Sequence, residues 1–93
     1  MTGTDSIYST ELYKAFPIGK KFQFKEAGTS TDYQIKSYYG YHINIQRLSD
    51  NERATIPINE LIAKVTLGAI YDEDGTQLSV KSDGSISKYE DSE

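Results

Sequence analysis

The sequence predicts an α+β fold. It reads as one small domain over residues 1–89, an antiparallel β-meander with two short helices packed on one face and a C-terminal β-hairpin. Three observations carry this. Apolar and polar residues alternate over 21–25, 33–36 and 41–46, the period of a strand with one buried face. Two other stretches space their apolar residues three or four apart, the period of a helix. Asp-Gly pairs at 74–75 and 83–84 mark tight turns near the C-terminus.

The first helix is expected in "YSTELYKAFP". Ser9 or Thr10 can cap it, Glu11 suits the positive end of its dipole, and Tyr8, Leu12 and Phe16 form its apolar stripe. Pro17 disfavours helical geometry at Phe16, so about two turns are predicted. In "KKFQFKE" Phe22 and Phe24 face one way and Lys21, Gln23 and Lys25 the other. "DYQIKSYY" places Tyr33 and Ile35 inward and Gln34 and Lys36 outward. Continued alternation turns Tyr39 inward and Tyr38 outward. After Gly40, Tyr41, Ile43 and Ile45 share a face opposite His42, Asn44 and Gln46.

"SDNE" (49–52) is a polar turn and "RATIPI" a returning strand. Pro57 lacks an N–H, which places that strand at a sheet edge. "NELIAKVTLG" is the second helix, with Asn59 as its expected cap, Leu61, Ile62 and Val65 as its stripe, and Gly68 just past its end. "AIY", "TQLSV" and "SISKY" then surround the two Asp-Gly turns. Residues 90–93 read as a disordered acidic tail.

Composition narrows the function. The 93-residue chain has no cysteine, which removes disulfides, thiolate chemistry and Cys-based zinc sites. The first ten residues lack the charged and apolar regions of a secretion signal, so a cytoplasmic protein is expected. Mean hydropathy is −0.59, yet ten isoleucines, five leucines, eight tyrosines and three phenylalanines suffice for one modest core. Net charge is −4, and it is uneven: residues 1–66 carry eight Lys/Arg against seven Asp/Glu, residues 67–93 two against seven.

Catalytic chemistry finds no motif. His42 is the single histidine, on the expected wet face, with no cysteine and no serine elbow to make a nucleophile–base pair. A phosphate loop of the form G-x-x-x-x-G-K-[ST] is missing. Asp72, Asp74 and Gly75 resemble the opening of a calcium loop, but counted from Asp72 the glycine falls at position 4 and position 12 is Asp83, where that loop needs Gly at 6 and Glu at 12. A hairpin turn explains the pair with fewer assumptions. No cofactor, metal or enzymatic activity is expected.

Surfaces remain. Asp72, Glu73, Asp74 and Asp83 form an acidic set that a basic protein partner would recognise, set against the plainer reading of charged turns in water. The alternative is a nucleic-acid-binding face built from Lys21, Lys25, Lys36, Tyr38 and Arg47, with lysines for phosphates and a ring for bases. The edge strand at "TIPI" offers a third route, pairing with another chain or a second copy. Brevity, acidity and the lack of cofactor motifs are similar to those of small phage-encoded or accessory regulators that bind, and in some cases inhibit, a host protein. That likeness is one of composition and assigns no residue. The expected function is a non-enzymatic regulatory module that binds a protein, with nucleic-acid binding as the alternative.

Overall fold

The computed structural model describes residues 11–89. The expectations for Tyr8, Ser9, Thr10 and the 90–93 tail concern residues outside that range. Residues 11–15 are helical (α1). Then follow β1 (Lys21–Glu26), β2 (Thr29–Tyr39), β3 (His42–Arg47), β4 (Arg53–Pro57), α2 (Ile58–Thr66), β5 (Ile70–Asp72), β6 (Leu78–Val80) and β7 (Ile86–Lys88). β1 to β4 form the expected antiparallel meander, and β6 and β7 form the C-terminal hairpin. Together they make the α+β domain that the alternation and the turns imply.

One apolar face carries the core. Phe22, Ile35, Ile43, Ile45 and Ile70 of the sheet meet Leu12 and Phe16 at α1, Leu61 and Val65 of α2, and Leu78 of β6. All ten are at most 5% exposed, so helix and strand patterns converge on a single centre. Phe16 packs edge-on against Phe22, ring centres 5.5 Å apart, a favoured aromatic arrangement. α2 ends where Gly68 takes a positive φ of 81°, which a side chain would strain. The Gln77 amide donates to the Gly68 carbonyl, and a Cβ at Gly68 would collide with it.

The structure departs from the sequence reading in three places. First, β5 has a partner beyond the expected turn at Asp74-Gly75, across which Tyr71 bridges Gln77. It pairs antiparallel with β1, so the sheet has five strands in the order β4-β3-β2-β1-β5. α2 leads the chain from one sheet edge to the other, where Ile70 becomes buried. Second, Asn59 does not cap α2. The helix begins at Ile58, and Pro57 holds the cap position with extended backbone and no side-chain hydrogen bond.

Third, Lys36 is an extra residue in β2. Ile35 pairs with Ile45 and Ser37 with Asn44, so Lys36 forms a β-bulge. A one-residue insertion reverses the alternation beyond it. Tyr38 therefore turns inward opposite Ile43, and its hydroxyl donates to the Phe16 carbonyl at 2.7 Å. Burial, and then the neighbouring Tyr13 ring, push the Tyr38 phenol above its ordinary pKa. Tyr39 and Tyr41, expected inside, are 77% and 75% exposed at the hairpin tip.

β4 is an edge, as Pro57 implied. Arg47 donates to the Glu52 carbonyl and Ile58 to that of Tyr41, which sets the phase of the β3–β4 ladder. By the antiparallel alternation, Ala54 and Ile56 bond to β3 while Arg53, Thr55 and Pro57 turn their backbones outward. Pro57 thus lacks only an N–H that would face solvent, which also blunts the edge against added strands.

Candidate functional site

Residues paired directly across antiparallel strands share a face. The outer face, away from the core, therefore carries Lys21, Gln34, Gln46 and Arg53 in one row across four strands. Next to it stand Ser37, Asn44 and Thr55, joined by 2.8 Å hydrogen bonds from Asn44 to Ser37 and from Thr55 to Asn44. Lys25 projects from the same face, with its ammonium 4.3 Å from the Tyr71 ring centre. Of the alternative set, Lys21 and Lys25 thus share a surface and Lys36 sits in the bulge. Tyr38 and Arg47 belong to the opposite face: Arg47 pairs with Tyr33 and grips Asp50 through two hydrogen bonds of 3.0 and 2.8 Å. Sequence reading missed Arg53, because only the register brings it into line with Lys21.

The acidic set is divided, and two of its four carboxylates are paired with lysines. Asp72 accepts from Lys20 at 2.6 Å, and Asp74 from Lys88 at 2.7 Å. Lys88 also lies 3.9 Å from Asp72, which ties β7 to the turn after β5. Asp83 lies on the next turn, where its carboxylate accepts from the Ser85 N–H and hydroxyl. Glu73 is exposed, with its N–H donated to Asp72.

These contacts set the carboxyl pKa values. The Lys88 hydrogen bond, aided by the Thr76 N–H, holds Asp74 at about 2. Arg47 holds Asp50 at about 2 in the same way. For Asp72 burial pushes upward, but the Lys20 ammonium and the Glu73 N–H outweigh it, and the net displacement is downward. Carboxyls depressed in the folded state bind fewer protons than in the unfolded chain, so their stabilisation is present above the ordinary value of 3.8 and is lost as pH falls through the folded value. The melting temperature, followed by circular dichroism, should hold from pH 7 to about 5 and drop between about 4 and 2. Asp74→Asn should flatten that drop, and an unchanged profile would contradict the pairing.

An apolar cleft lies on the inner face. α2 has nine residues, about 13 Å of helix, whereas five strands span about 19 Å. The helix therefore leaves part of the apolar face uncovered. The result is a cleft of about 220 Å³ that opens to solvent. Phe22 and Phe24 of β1, Tyr33 of β2, Ile45 of β3, Ile56 of β4 and Ile70 of β5 line it on the sheet side. Leu61 and Lys64 of α2 form the wall, and Glu26 and Glu60 also border it. Phe24, Tyr33 and Ile56 are only half-buried, so apolar surface there is still in contact with water. The Lys64 ammonium lies 5.4 Å from the Phe24 ring centre. Hollows of about 380 and 340 Å³ exist elsewhere, but one follows the single turn 25–30 and the other lies between segments 30–32 and 47–49, and nearly half of each wall is polar.

No sequence signal marked the cleft as a site, because its walls are ordinary core positions of six elements. Among the described residues, no three histidine, aspartate or glutamate side chains converge as metal ligands, and no helix is long and apolar enough to cross a membrane. Comparison with protein-family models, with curated proteins and with solved structures returned no match.

Proposed function

We propose that this chain is a non-enzymatic binding module that recognises a protein partner, and that the inner-face cleft takes an apolar side chain from that partner. The observation behind this reading is the cleft itself, half-buried apolar surface gathered from five strands and a helix. Its size decides what fits. Sites for drug-sized ligands and cofactors occupy about 300–1,000 Å³, while a dry cavity of about 150 Å³ already holds benzene. At about 220 Å³ the cleft matches one leucine, isoleucine or phenylalanine side chain. Burying such a group is worth about 1.5–3 kcal/mol, roughly ten- to a hundred-fold in affinity. The compensated charges of Asp72 and Asp74 favour this surface over the acidic one.

The test compares adjacent residues of β4. Ile56 lines the cleft and Thr55 faces the opposite side of the sheet. In a nuclease-treated pull-down from source-cell lysate, Ile56→Asp should lose a protein that both the wild type and Thr55→Asp retain. Equal retention by all three would overturn the cleft reading.

A second reading has one observation in its favour, the outer-face row that aligns Lys21 and Arg53 across Gln34 and Gln46. Exposed cations beside amides suit an anionic strand such as single-stranded nucleic acid. Asp32 stands on the same face, paired with Gln23, and reduces its positive charge. Oligonucleotide binding that falls steeply with salt and disappears in Lys21→Glu with Arg53→Glu would support this reading, and salt-independent binding would refute it.

A further inference from the structure

We infer that the partner segment entering the cleft presents a bulky apolar side chain with a lysine or arginine close beside it. This rests on the cleft reading and adds the chemistry of the occupant. Two carboxylates, Glu26 from the end of β1 and Glu60 from the first turn of α2, border the apolar walls. Neither forms an ion pair among the described residues. The one cation lining the cleft, Lys64, lies near the Phe24 ring and is likewise in no ion pair. The rim is thus net negative, on a chain whose overall charge is −4.

A cationic neighbour would meet Glu26 or Glu60 as the apolar side chain seats, whereas an acidic neighbour would meet repulsion from both. Like-charge juxtaposition at an interface discriminates strongly against wrong partners, and rim charges also speed the encounter. Exposed ion pairs are individually weak, so each rim carboxylate should contribute only about two- to five-fold in affinity. The apolar anchor supplies the larger part.

Selection of a phage-displayed random peptide library on the immobilised chain tests this directly. Enriched sequences should share one Leu, Ile, Met or Phe with Lys or Arg within about two positions. A labelled peptide of that consensus, followed by fluorescence anisotropy, should lose at least about ten-fold in affinity on Ile56→Asp. It should weaken about two- to five-fold on Glu26→Gln or Glu60→Gln, and stay unchanged on Thr55→Asp. Chemical-shift changes at the Ile45, Ile56 and Ile70 methyl groups of the wild type provide the same localisation should Ile56→Asp fold poorly. Cleft-dependent peptides with no basic preference, or indifferent to both glutamine variants, would overturn this inference and leave the cleft reading standing. Failure to select any cleft-dependent peptide would overturn both.

Discussion

Phe16→Ala is expected to remove a large share of the stability of the domain. Phe16 is fully buried, and with Leu12 it packs the N-terminal helical segment against the sheet. Its N–H donates to Leu12 at 2.7 Å and its carbonyl accepts from Tyr38 at the same distance, so ring and backbone are both engaged. Truncating a buried phenylalanine costs about 3–5 kcal/mol, from lost burial and the cavity left behind. At 0.05–0.15 kcal/mol per residue, a chain of 93 residues has about 5–14 kcal/mol in total. Urea denaturation should show a midpoint lower by roughly 2 M or more with little change in slope. A shift under about 0.5 M would mean that this ring is not part of the core.

The second large effect separates two neighbouring tyrosines. Simple alternation along "DYQIKSYY" makes Tyr39 the buried ring, whereas the bulge at Lys36 makes it Tyr38. Tyr38→Ala should cost about 2–3 kcal/mol, less than a fully buried aromatic but including the hydrogen bond that leaves the Phe16 carbonyl unpaired. The Tyr13 ring, centred 4.2 Å away, loses its neighbour as well. Tyr39→Ala, at 77% exposure, should stay within about 0.5 kcal/mol of the wild type. Paired chemical denaturation of the two variants decides the matter, and the reverse order of effects would restore unbroken alternation in β2.

The same bulge explains how far the candidate surfaces could be read from residues alone. Lys21, Gln23 and Lys25 lie on the outer face as period two requires, because β1 runs regularly against β2. Tyr38 was assigned to that face only because parity was carried past Lys36. A lysine in a run of polar and aromatic residues bears no local mark of a bulge. The extra residue is defined by the partner strand, where Ile45 and Asn44 are consecutive while their partners Ile35 and Ser37 are not. Arg47 was misplaced for a different reason. Alternation from Ile43 and Ile45 already puts it on the core face, where it stands opposite Tyr33. Only its grip on Asp50 depends on how the 48–51 turn folds back. Glu73, Asp74 and Asp83 were correctly seen as turn residues, whereas Asp72 ends β5. The lysine partners of Asp72 and Asp74 come from distant positions: Lys20 is 52 residues from Asp72, and Lys88 is 14 from Asp74.

By itself, the sequence determined the local structure of this protein: the strands with one apolar side, the stop of α2 at Gly68, the turns at Asp74-Gly75 and Asp83-Gly84, and the edge position of the strand ending in Pro57. Each follows from steric and hydrogen-bonding preferences within a few residues, which need no knowledge of the rest of the chain. Tertiary structure alone decided the return of β5 to β1, the inversion at Lys36, the row from Lys21 to Arg53 and the cleft beneath α2. These depend on which distant segments compete for the same apolar face. A nine-residue helix crossing a five-stranded sheet leaves open ground that no local pattern records.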